Sequence, residues 1–341
     1  MSAASSQSTP FTTITAVNAL RHQGRARAYR LFSQLFLRPV SAELFEVLKS
    51  LPELGSALGD SFDSDAASVA HHTLFGLQVP PWAGVFVSAD GCIGGSTATA
   101  VREFYRRAAM PLDDTSDEAD HIGHILWLLA ALEHQHQGND DDVLEAAILD
   151  GVLLPWLPTV VETIERHADP FYRALAGLTL DLAIEHRSSL ITEAPEALTL
   201  TGDEPDSLTL DDAGLQDLAV FLVTPASSGL FLSREDVRRI ASRQRLPIGF
   251  GSRAQALENL LRSAAEYGQL GQVVDDLGSL VTTARINCRQ LADSGIASLV
   301  VHQGLRESQL SRTSDVLARL RQVSTEPGEG PVGAQASQGG G

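Results

Sequence analysis

Lysine is all but missing from this chain: Lys49 is the only one, and every other basic residue is arginine. Cysteine is nearly as scarce. Cys92 and Cys288 stand far apart with no CxxC spacing, which argues against a disulfide framework and a zinc ribbon. No apolar run approaches the roughly eighteen residues of a membrane span, and the Ser/Thr-rich N-terminus has no basic segment leading into an apolar one. Positive charge is also in deficit, with 25 Lys+Arg against 43 Asp+Glu and a net charge of −18. Such a balance disfavours nucleic acid and anionic membrane as partners. Gly-x-Ser-x-Gly, P-loop and dinucleotide fingerprints are missing, so no catalytic residues are assigned and no enzyme activity is expected. These absences predict a soluble, cytoplasmic, non-enzymatic protein without membrane insertion.

What is present is helical periodicity. Alternating strand patterns are nearly lacking, and apolar residues recur at helical spacing over about 15–36, 41–52, 65–77, 96–107, 118–136, 143–149, 159–167 and 170–187. The stretch Val85-Phe86-Val87 reads as extended. Ser41 is a natural N-cap, as are Ser96 or Thr97, Ser233 and Ser252. The expected organisation is a disordered N-terminus (1–12), an all-helical domain (13–190), a Ser/Thr/Glu/Pro-rich linker (191–212), a helical C-terminal region (213–322) and a Gly/Ser-rich disordered tail (323–341). The fold class is therefore all-α, a helical bundle with an additional C-terminal helical region.

Chemistry concentrates between Ala108 and Glu165, a stretch with thirteen carboxylates, four histidines and no lysine or arginine. Within it, Glu118-Ala119-Asp120-His121-Ile122-Gly123-His124 opens an apolar helical run. Three readings stay open here. The carboxylates complement a helix N-terminus beside solvated histidines; or the patch binds a cation or cationic peptide; or His121 and His124, three apart on one face, join Asp120 in a metal site. The third would make an all-α metal-dependent hydrolase. No His-Glu-x-x-His or EF-hand spacing supports it, and no metal or cofactor is assigned. An acidic assembly scaffold is a further alternative. Its arginine-rich segment (Arg234, Arg238, Arg239, Arg243, Arg245, Arg253) would be a solvated face or would dock the acidic half of the chain.

Several motifs in order resemble the TorD/DmsD/NarJ-type chaperones that mature molybdenum-containing oxidoreductases. They are Tyr29-Arg30-Leu31-Phe32 through Pro39; Pro80-Pro81-Trp82 followed by a turn and a helix ending in Tyr105; Glu118, Asp120 and His121 opening an apolar helix; Trp156-Leu157-Pro158; and Phe171-Tyr172. Ala119 replaces the proline usual in the Asp-His motif, and His124 stands where an acidic residue is common. The resemblance covers about residues 15–190. It implies a TorD-like helical bundle that binds the apo catalytic subunit of a molybdenum enzyme, and its twin-arginine leader, until cofactor insertion. It also implies that Asp120 and His121 are central to the client site, with Glu118 and Asp117 as supporting charge and Tyr105, Trp127 and His124 as further contacts. Family members sometimes exchange helices between subunits, so a homodimer is compatible with it.

Overall fold

The computed structural model describes residues 10–110, 112, 119–136, 139–166, 169–191 and 213–325. The expected N-terminal, linker and tail disorder falls on residues outside these, except at the segment edges. Among the described residues there is no strand, and the chain is all-α as its periodicity predicts. The helices are α1 (Pro10–Leu37), α2 (Ala42–Lys49), α3 (Pro52–Gly55), α4 (Ser64–His71), α5 (Ala83–Val87), α6 (Gly95–Arg107), α7 (Ile122–Gln135), α8 (Asn139–Ile148), α9 (Leu157–Glu165) and α10 (Pro170–Ser189). Then follow α11 (Leu215–Val223), α12 (Pro225–Ser228), α13 (Arg234–Gln244), α14 (Arg253–Glu266), α15 (Leu270–Ala292) and α16 (Ala297–Thr325). Two π-helical segments, His72–Gln78 and Leu149–Leu153, extend α4 and α8. No single helix is long and apolar enough to cross a membrane; one bent pair, Asp141–Leu153 with Leu157–Glu165, passes by length and composition, but most of it is core.

Local chemistry sets several helix starts. Ser41 accepts from Leu44 N–H, and Asp169 accepts from Phe171 and Tyr172 N–H. Ser233 and Ser252 form full capping boxes with Asp236 and Gln255, each satisfying donors that the first turn leaves orphaned. Two expectations fail. The Val85-Phe86-Val87 stretch is helical, because the N–H groups of Ala83 and Gly84 are satisfied by the backbone oxygen and carboxylate of Asp120, far along the chain. Ser96 and Thr97 do not cap α6. That helix starts earlier, at Gly95, with Gly94 (φ +85°) in the cap position, and buried Thr97 instead shares a hydrogen bond with Ser88 at 3.1 Å.

Two apolar cores form. The first gathers α1 through α10 around Tyr29, Phe36, Phe104, Ile125, Leu126 and Trp156, all buried. Full burial of such side chains contributes roughly 1.5–3 kcal/mol each. Inside it α1 and α7 run antiparallel: Ser33 donates to Gly123 O at 2.7 Å near one end, and Arg25 reaches Glu133 at the other. Gly123 permits the close approach, since a Cβ there would lie 2.5 Å from Leu37 Cγ. The second core joins α11 to α16. Phe231 and Leu299, from this later part of the chain, belong to the first core instead. Phe231 stacks on Phe86 at 5.0 Å, and Phe86 stacks on Trp156 at 5.4 Å. Buried Arg306 pairs with buried Glu162, which also accepts from Asn287, and Arg166 pairs with Asp236 and donates to Phe231 O. Ser298 and His302 donate to the side chain and backbone of Asp150.

The arginine-rich segment is mainly a solvated face. Arg238 and Arg239 lie near Glu235 of their own helix, and Arg243 pairs with Asp276. Arg253 departs from this pattern: its guanidinium lies 4.2 Å over the Phe231 ring, and burial, with Arg234 nearby, lowers its pKa to about 10.

Candidate functional site

The motifs that looked separate in sequence meet at the start of α7. Residues Pro81–Ala83 run antiparallel to Asp120–Ile122: Ile122 N–H donates to Pro81 O at 2.8 Å, and Ala83 N–H donates to Asp120 O at 3.0 Å. This explains why the helix expected over 118–136 begins only at Ile122. Residues 119–121 pair with the proline-led strap first, and the His121 Nδ1 then caps α7 by accepting from Gly123 N–H at 3.0 Å.

Asp120 is fully buried. Its Oδ2 accepts from Gly84 N–H at 2.8 Å, while burial pushes its carboxyl upward against the opposing pull of that bond. Gly84 must be glycine for this approach, because a Cβ would lie 2.4 Å from Cys92 O. His121 is 6% exposed, and burial, with His124 and His71 adding to it, depresses its pKa to about 3. Both residues therefore hold the strap to α7 and present no charge to solvent. Glu118 and Asp117 lie outside the described residues.

Rings surround this junction. Trp82 packs edge-on against His121 at 5.0 Å, and His121 against His124 at 5.8 Å. Alongside, Tyr105 stacks on Trp127 at 6.3 Å and donates its hydroxyl to His124 O at 2.6 Å. Tyr105 is buried, Trp82 and His124 are half-buried, and Trp127 is 42% exposed. The structure thus brings Asp120, His121, His124, Tyr105 and Trp127 into one neighbourhood. Trp82, noted only as part of the Pro80-Pro81-Trp82 motif, and Gly84, not singled out at all, join them as site residues the sequence did not assign; the signal for both was an aromatic next to two prolines, with a glycine two residues on.

Asp120, His121 and His124 do not converge as a ligand set; among the described residues, the carboxylate and imidazole groups that do lie elsewhere, at Glu133, Glu145 and His186 and at His136, Asp142 and Glu145. The hydrolase alternative thus loses the three residues it named. The fold and this neighbourhood define a helical protein with a partly exposed aromatic face at one helix start.

The family model described as nitrate reductase delta subunit matches residues 41–162. The chaperone protein YcdY of Escherichia coli (strain K12) is 35% identical over 133 residues, which is 38% of this chain and 67% of that protein. The Tat proofreading chaperone DmsD of Salmonella typhi is 28% identical over 119 residues, 34% of this chain and 56% of DmsD. The chain belongs to this NarJ/TorD-type chaperone family. The family model ends at residue 162, so α10 and the helices from 213 onward lie beyond it.

Proposed function

We propose that this chain is a cytoplasmic chaperone for the apo catalytic subunit of a molybdenum-containing oxidoreductase, which it holds, with its twin-arginine leader, until cofactor insertion. The observation that carries the reading is the aromatic face of Trp82, His124 and Trp127, whose two α7 members come shortly after Asp113, Asp114, Asp117 and Glu118 in the sequence. An arginine pair is permanently charged and offers a planar donor fork that carboxylates satisfy bidentately. The apolar part of a leader would then lie on the rings, as amphipathic peptides do in helical grooves. Asp120 and His121 act here as positioning residues, since they are buried and shape the face from beneath.

The test is binding of a labelled twin-arginine leader peptide to the full chain, followed by fluorescence anisotropy at low and high salt. Trp127→Ala should weaken binding by about tenfold or more, in line with exposed aromatic anchors, without lowering Tm. Joint replacement of Asp117 and Glu118 by Asn and Gln should weaken it and flatten its salt dependence. Unchanged affinity in both variants would overturn the assignment of this face.

A further inference from the structure

Far from the aromatic face, at the opposite end of α7, lies a buried polar cluster that the chaperone reading does not use. Glu133 on α7, Glu145 on α8 and His186 on α10 are 2%, 0% and 0% exposed. Their ligand atoms all fall within 4.8 Å of one another, and those of His136, Asp142 and Glu145 do likewise, with Glu145 common to both groups. Glu133 is held on both oxygens: Arg25 Nε donates to one at 2.5 Å, and His22 Nδ1 lies 2.6 Å from the other. His186 Nδ1 lies 3.1 Å from the Tyr29 hydroxyl, while its Nε2 faces Glu133 at 2.8 Å and Glu145 at 3.3 Å.

Two features say that hydrogen bonds alone leave this cluster incomplete. One ring nitrogen carries at most one proton, so Nε2 can make a full-strength hydrogen bond to only one of the two carboxylates it faces and at best a shared, weaker one to both. The Glu145 Oε1 atom, fully enclosed, has no hydrogen-bond partner, a costly state for a buried carboxylate. The charge points the same way. Glu133 pairs with Arg25, while Glu145 lies against His186 and Asp142 against His136, so these three carboxylates and one guanidinium leave two formal negative charges when the histidines are neutral. A divalent cation balances two.

We propose that Glu133, Glu145 and His186 bind a divalent transition-metal ion, with His136 and Asp142 able to complete its coordination, and that the ion staples α7, α8 and α10 together. Carboxylate oxygen and imidazole nitrogen form a borderline donor set suited to Zn²⁺, with Mn²⁺ and Fe²⁺ expected to bind more weakly. The surroundings supply the supporting contacts such sites need. When Nδ1–H of His186 donates to Tyr29, the Nε2 lone pair is freed for the metal, and Arg25 and His22 fix the Glu133 carboxylate. His22 and His136 stack at 4.0 Å over the cluster and are partly exposed, which gives an ion a route in.

The experiment uses the full chain, free of any histidine tag, stripped with chelator and dialysed. Zn²⁺ is titrated by calorimetry, metal content is measured after gel filtration, and Tm is recorded with and without Zn²⁺. The expected result is about one tightly held ion per chain, together with a higher Tm. Glu145→Gln should weaken binding about a hundredfold or more and abolish the Tm shift, while His134→Ala, an exposed neighbour, should leave both unchanged. No zinc uptake by the refolded wild type would overturn the proposal, as would a folded Glu145→Gln variant that binds as well as the wild type. The cluster would then be a proton-sharing network around a protonated Glu145. If Glu145→Gln does not fold, Co²⁺ titration of the wild type decides instead. Visible absorption of an enclosed nitrogen–oxygen site at one equivalent supports the proposal, and its absence ends it.

Discussion

His121 is a histidine that folding keeps neutral. Its folded pKa of about 3 lies below the ordinary value of about 6.5, so as pH falls the unfolded chain takes up the proton first. The stabilisation is whole above about pH 6.5 and is lost progressively towards pH 3. Between pH 7 and pH 5 this one residue should cost on the order of 1–2 kcal/mol of stability. In the metal-free chain His186 works in the opposite sense: burial lowers its pKa, but Glu133 and Glu145 raise it on balance, so its contribution is present at low pH and fades as pH rises. The clean comparison is therefore wild type against His121→Asn, which keeps a capping acceptor without a titrating ring. Denaturant unfolding at pH 7 and pH 5 should show the variant losing less stability than the wild type. Equal losses would place the acid sensitivity elsewhere. The same residues show what sequence can and cannot convey. Asp120 and His121 stood out by their place before an apolar run, but their burial did not, because the strap that covers them comes from residues 81–84.

Helix by helix, legibility followed the distance over which each end is satisfied. The starts of α2, α13 and α14 were readable because their caps lie three residues away. α5 was not readable, because its partner Asp120 is 36 residues from Gly84. The cluster of Glu145 with His186 was invisible for the same reason: they sit 41 residues apart, on different helices. At this scale the most exposed dependence is the α1–α7 contact. Gly123→Ala would press a methyl onto Leu37 Cγ and the Ser33 carbonyl. Such overpacking should destabilise the fold by about 1–3 kcal/mol, read as a lower midpoint in urea. Gly177→Ala, where a Cβ meets nothing within 4 Å, serves as the control and should be neutral or stabilising.

For the molecule as a whole, the later helices are built into the earlier ones. Arg306 and Glu162 are both buried, and Arg306 also donates to Gly229 O. Removing one partner of such a pair leaves an uncompensated charge, so Arg306→Ala should cost about 3–5 kcal/mol. Thermal unfolding of that variant, and of a chain ending near residue 205, should show a clear fall in Tm. In the shortened chain Phe86 also loses its stacking partner Phe231. A truncated chain as stable as the full one would mean that the contacts among Arg306, Glu162 and Phe231 add nothing.

The seating of Phe231 and Leu299 in the first core has a consequence for synthesis. A ribosome extends the chain in one direction at roughly 5–20 residues per second, and early domains ordinarily fold while later ones are still being made. Here the core around Trp156 lacks Phe231 and then Leu299, and stays incomplete until residue 299 has emerged. The nascent protein thus carries an open apolar surface for several seconds, exposed to the same aggregation hazard that partly folded chains face.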